Sequence, residues 1–128
     1  MIGVEGRVRV FAYGAPADMR KGFGGLSGLV REGLGRDPLS GALYLFTNRR
    51  RDRAKVLWFD GTGLCVYAKR LERGRFAKLW SAPESDALAL TRTELELFLQ
   101  GSQLVGRVAL SPRPLTNEEL AVGAKMRQ

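Results

Sequence analysis

The spacing of apolar residues changes several times along this chain, and each change marks an element. Val8, Val10 and Ala12 alternate with Arg7, Arg9 and Phe11, the two-residue period of a half-exposed strand that stops before Gly14 and Pro16. From Asp18, a residue type that caps helices, Met19, Phe23, Leu26, Val30 and Leu34 then recur at steps of three and four. That spacing predicts one long helix with an apolar stripe, widened by Leu29 and ended by Gly35 and Asp37-Pro38. Gly22, Gly24, Gly25 and Gly28 each cost about 1 kcal/mol relative to Ala inside a helix, so local propensity cannot stabilise it. The expectation is close packing against a sheet.

Three short apolar runs follow, Ala42 to Thr47, Lys55 to Phe59 and Leu64 to Lys69, and their connections read as hairpins. Asp60-Gly61-Thr62-Gly63 supplies a tight reversal, Asn48 through Arg53 a longer basic one, and Glu72-Arg73-Gly74-Arg75 a further turn. In an antiparallel meander the end of the third strand returns to the start of the second. The 47–55 loop and the 69–75 segment should therefore emerge at one edge. Beyond the irregular stretch from Trp80 to Ala87, Leu88 to Leu90 reads as a short strand. Thr91 with Glu94 forms a capping box opening a helix that Gly101 closes. Residues 102–128 read as a tail around Ser111-Pro112-Arg113-Pro114. The predicted fold is α+β: one domain over residues 1–101, with a small, mostly antiparallel meander sheet packed by one glycine-rich helix and a second short C-terminal helix.

At 128 residues and 45% apolar content, the chain is sized for one core, and no apolar run approaches the roughly 20 residues that span a bilayer. The N-terminus lacks the charged, apolar and small-residue order of a signal peptide, which predicts a cytoplasmic protein. A single cysteine, Cys65, forms no internal disulfide, and with no histidine a Cys/His zinc site and the usual imidazole bases are excluded. The expectation is a non-enzyme without metal or cofactor.

Charge sharpens that expectation. The chain carries +8, and residues 1–83 hold 16 basic and 7 acidic side chains while residues 84–128 hold 5 and 6. The excess gathers in two clusters: Arg49, Arg50, Arg51, Arg53 and Lys55, then Lys69, Arg70, Arg73, Arg75 and Lys78. Neighbouring arginines repel one another, so such a loop is disfavoured unless an anion is near. Guanidinium groups match phosphate oxygens bidentately, and a protruding hairpin reaches into a groove. The plain alternative is a solvated loop that keeps the protein in solution. Arg20 and Lys21 in the first turn of the predicted helix extend the same surface.

Other features have simpler readings. Trp58, Phe59, Tyr67, Phe76 and Trp80 are better placed as core than as stacking platforms, Trp80 being the one outside a regular strand and so a candidate base contact. Asp52, Asp60 and Glu72 invite a two-metal nuclease reading. Asp60 is instead explained by its Asp-Gly turn, and the other two stand among arginines. Gly22 to Gly28 lacks the Lys-Ser/Thr ending of a nucleotide-binding loop, and Cys65 reads as a small interior residue.

Several ordered segments carry a resemblance: Asp18-Met19-Arg20-Lys21-Gly22-Phe23 with Gly25-Leu26, Asp37-Pro38 with Ser40-Gly41, Arg49-Arg50 with Asp52, Lys55-Val56-Leu57-Trp58, Asp60 with Gly63-Leu64, and Lys69 through Phe76. Leu90-Thr91, Leu95 and Leu99 to Gly101 complete them. From about Val8 to Gly101 the chain resembles the small TnpB-type, Orf2-like accessory proteins of bacterial insertion sequences of the family numbered sixty-six, which are unrelated to the RNA-guided nucleases sharing the TnpB label. Thr47-Asn48 departs from a more basic or glycine-containing approach to the arginine turn, and the resemblance is not carried past Gly101. The resemblance implies a protein that works beside a separate transposase, with no catalytic residues to carry over. The expectation is DNA contact at or near element ends, or within the transposition complex, through both clusters. The alternative is an adaptor whose basic face docks on an acidic patch of the transposase, with other accessory proteins as further partners.

Overall fold

A computed structural model describes residues 8–80 and 87–101, with only the backbone of Ala87 and Leu88; the predicted tail, 102–128, lies outside the described residues. Five strands, β1 (Val10–Tyr13), β2 (Leu43–Thr47), β3 (Arg53–Phe59), β4 (Leu64–Arg70) and β5 (Ala87–Leu90), form one sheet in the order β4-β3-β2-β1-β5. All pairs are antiparallel except β1 with β2, where Val10 stands beside Leu43 and Ala12 beside Leu45. A parallel pair needs a crossover. Helix α1 (Phe23–Gly28), its wider π-helical continuation (Leu29–Gly33) and the turns up to Ala42 provide it.

Both faces of the sheet are covered. Phe11, Tyr44, Phe46 and Leu57 pack under Leu26 and Val30 of the crossover. Val10, Ala12, Leu43, Leu45, Ala54 and Val56 pack against Leu95 and Phe98 of helix α2 (Arg92–Leu99) and against Phe76, Ala77 and Leu79. This placement corrects the reading of β1 as half exposed. Val10, Phe11 and Ala12 are all buried, because β1 lies between β2 and β5 with a covered face on each side.

The long helix is also shorter than its spacing implies. Residues 18–21 form a turn, Lys21 N donating to Asp18 O at 3.1 Å, and Gly22 takes the N-cap position expected of Asp18. Phe23 is 54% exposed and leaves the stripe. Among the glycines at 22–28 only Gly25 makes a close approach, its Cβ position lying 2.9 Å from the Lys21 side chain; a Cβ on Gly22, Gly24 or Gly28 would meet nothing within 4 Å. The approach to a rigid neighbour falls at Gly33, where a Cβ would lie 2.8 Å from Cε1 of Tyr13, a ring tilted against Phe46. Gly24→Ala is therefore expected to stabilise the fold by about 0.5–1 kcal/mol, and Gly33→Ala to destabilise it by about 1–3 kcal/mol, both read from urea midpoints.

The C-terminal helix follows its sequence signals closely. Thr91 Oγ1 accepts from Glu94 N at 3.0 Å, Glu94 Oε1 accepts from Thr91 N at 2.8 Å, and Gly101 ends the helix at φ +83.

Candidate nucleic-acid interface

The β2–β3 reversal is built around Asn48. Its Oδ1 accepts from the main-chain N–H groups of Asp52 and Arg53, both at 3.1 Å, and its amide donates to Asp52 Oδ1 at 2.7 Å. Arg51 N donates to Asn48 O at 3.0 Å, and Arg51 takes φ +61, the left-handed conformation that closes the loop. Side chains of Asn form such local bonds readily. Asn48 opens the reversal as its position in the sequence implies, and its side chain is what holds the arginine loop in shape.

The second basic segment is joined to this loop through main-chain bonds. Leu71 N donates to Asp52 O at 2.8 Å, and Phe76 N donates to Arg51 O at 2.7 Å. Phe76 is drawn into the core beside Phe98, which anchors the join. The ladder continues into it with Arg53 directly opposite Arg70. The expected convergence of the two stretches at one end of the sheet is thus a property of the fold.

The basic residues divide by what their side chains do. Arg49, Arg50, Arg53 and Arg73 are exposed and form no ion pair among the described residues. Arg70 is exposed and pairs with Glu72 at 3.1 Å, a surface pair of small worth. Arg75 and Lys78 are exposed as well. Arg51 is half buried, its guanidinium reaching Phe76 O at 3.5 Å. Two lysines serve the scaffold: Lys55 Nζ donates to Lys21 O, and Lys69 Nζ donates to Leu99 O at the end of α2, both at 2.8 Å. A cation at a helix C-terminus is favourable there.

The bond from Lys55 holds the start of the crossover beside the basic end, where Met19, Arg53, Lys55, Arg70 and Glu72 line a hollow of about 410 Å³. Arg20 in that segment is engaged by its own chain. It grips Asp18 through two nitrogens at 3.1 and 2.8 Å, which holds the Asp18 carboxyl down at about 2. Asp52 is also held below the usual carboxylate range, by the Asn48 amide first and then by the charges of Arg50 and Arg53. Trp80 is partly buried and packs against the α2-side core.

The three carboxylates do not gather. Asp60 sits in the β3–β4 turn, at the other end of the hairpin from Asp52 and Glu72, and accepts from Thr62 N at 2.9 Å and Gly63 N at 3.0 Å. These bonds lower its carboxyl to about 2. Cys65 beside it is half buried, with its thiol donating to Asp60 Oδ2 at 3.6 Å and pushed up by burial first. Because Asp18 and Asp60 titrate below their ordinary 3.8, the stability they contribute is present above about pH 4 and lost as pH falls through about 2. Urea midpoints should drop across that window. Asp60→Asn, which keeps the acceptor oxygen, should make the drop shallower.

Among the described residues no helix is long and apolar enough to cross a membrane. The family model described as IS66 Orf2 like protein matches residues 8–108. The chain is 42% identical over 94 residues to the uncharacterized protein y4hO of Sinorhizobium fredii, covering 73% of this chain and 80% of the relative. It is 33% identical over 101 residues to the uncharacterized protein y4jC of the same organism, covering 79% and 85%. No solved structure matches it.

Proposed function

We propose, from the premise that this chain belongs to the family of IS66 Orf2-like proteins, that it is a non-catalytic DNA-binding subunit of the transposition machinery. The family is one of transposition-associated accessory proteins, and the finer reading concerns how this member acts. The observation that carries it is the cross-strand pair Arg53 and Arg70 at the joined basic end. Like charges directly opposite on neighbouring strands destabilise a sheet. Arg49, Arg50 and Arg73 add exposed guanidinium groups with no ion pair among the described residues. A phosphate backbone relieves that repulsion and accepts bidentate hydrogen bonds. Arg70, Arg75 and Lys78 widen the surface. Arg51, Lys55 and Lys69 shape it through their carbonyl bonds, adding charge without extending outward. Lys21 supports the rim, and Trp80 contributes core packing in place of base stacking.

The test is Arg49→Ala, Arg50→Ala, Arg53→Ala and Arg73→Ala combined in the full chain, with thermal unfolding as the control for folding. Gel shifts on element-end DNA should weaken at least a hundredfold at low salt, because a phosphate no longer met by a guanidinium keeps its condensed counterions and yields no entropy on binding. An unchanged gel shift with lost capture of the element's transposase would assign these arginines to protein docking instead.

A further inference from the structure

The main chain of β4 is poised to continue the sheet. Asp60 N donates to Gly63 O at one end of the β3–β4 ladder, and Leu71 N donates to Asp52 O at the other. Hydrogen-bonded and non-bonded pairs alternate between these ends, in the register that sets Cys65 opposite Trp58 and Tyr67 opposite Val56. Cys65, Tyr67 and Lys69 therefore turn their main-chain groups toward β3, and Leu64, Val66, Ala68 and Arg70 turn theirs outward. Among the described residues no strand pairs with that outer side. The edge runs seven residues without proline or bulge, and its charged residues, Lys69 and Arg70, stand together at one end. Natural edges are usually blunted by such features, so an open one marks a pairing surface.

We infer that β4 pairs antiparallel with β4 of a second copy of this chain, about a two-fold axis at Tyr67, making one continuous sheet from two molecules. In that register the edge is self-complementary along its whole length. Val66 meets Ala68 and Leu64 meets Arg70, so outward N–H and C=O groups face outward groups along the whole strand. A slip of one residue sets outward groups against inward ones, and a slip of two leaves part of the strand uncovered. Lys69 and Arg70 fall at opposite ends from their copies, so no like charges face each other within the ladder. Tyr67, 44% exposed, meets its own copy at a non-bonded pair with Cα atoms about 4.5 Å apart, the closest side-chain approach in a sheet. Beside it, Trp58, Leu95 and Leu99 line a groove of about 220 Å³ that the second copy closes.

This pairing does not depend on DNA. Sedimentation of the nuclease-treated full chain at high salt, which screens its +8 charge and strips nucleic acid, should give twice the 14.1 kDa chain mass. Ala68→Pro removes an outward N–H that the β3 ladder does not use, so it should give a folded monomer. At low salt, after the same nuclease treatment, Tyr67→Lys should be monomeric alone and should form a dimer when mixed with Tyr67→Glu. A wild-type monomer at high salt overturns the proposal, whether the edge is covered by this chain's own remaining residues or by a different protein. An Ala68→Pro dimer, or Tyr67→Lys dimers without the Glu partner, overturns it equally.

Discussion

Phe98→Ala is expected to destabilise the protein by about 3–5 kcal/mol, the range for truncating a fully buried aromatic side chain. Phe98 is 0% exposed, and its ring stacks on Phe76 with centroids 5.0 Å apart and planes at 9°. The loss reaches beyond one cavity, because α2 has only eight residues and a helix that short does not persist on its own in water. What holds it is the burial of Leu95 and Phe98 against Leu43, Leu45 and Val56. Phe76 also carries the main-chain bond that ties the second basic segment to Arg51. The variant should thus lower the urea midpoint and release that segment, detectable as faster amide exchange at Phe76 and Leu71. With a domain stability of about 5–15 kcal/mol, a substantial share of the total is at stake. Phe23→Ala, at a position 54% exposed, should change the midpoint by less than about 0.5 kcal/mol. A Phe98→Ala loss below about 1 kcal/mol would mean that α2 does not unfold with the sheet.

The β2–β4 meander was legible because its determinants are local. Short apolar runs set the strands, Asp60 with Gly61 and Gly63 set one reversal, and strand direction alone brings Asn48–Arg53 beside Arg70–Arg75. The capping box at Thr91 is equally local. The position of β1 was not legible, since its burial depends on β2 from one side and β5 from far along the chain on the other. The crossover helix misled for a related reason. The spacing through Met19 and Phe23 is helical, yet Asp18 bonds the Arg20 side chain and main chain locally, and three glycines at 22, 24 and 25 weaken the first turn. The candidate interface was legible as charge and as placement. Its division into exposed arginines and scaffold lysines required side-chain partners, which no spacing encodes: Lys55 and Lys69 are basic residues like their neighbours until Lys21 O and Leu99 O are seen to accept from them.

For the wild-type chain, DNA affinity should fall a few hundredfold between about 50 and 200 mM salt if about five phosphates are neutralised, because each contributes about 0.9 to the log–log slope. The slope counts charges at the interface and is blind to how well each guanidinium is aimed. Converting Arg49, Arg50, Arg53 and Arg73 to Ala should therefore cut the same salt range to about a threefold to fourfold effect, with about one of the five phosphates still neutralised. Converting the four to Lys should leave the slope nearly unchanged while weakening affinity, since a lysine keeps the charge and loses the planar, bidentate donors. Arg20→Ala should scarcely alter the slope, because its charge is already matched by Asp18. Lys55→Ala and Lys69→Ala should act first on stability, through the carbonyls of Lys21 and Leu99 left without a donor, and only weakly on the slope. This ordering separates DNA binding by the joined basic end from a diffuse attraction due to net charge. Under diffuse attraction, Lys55, Lys69 and the four arginines would each change the salt dependence by the same amount, and titrations of the single variants across that salt range decide between the two.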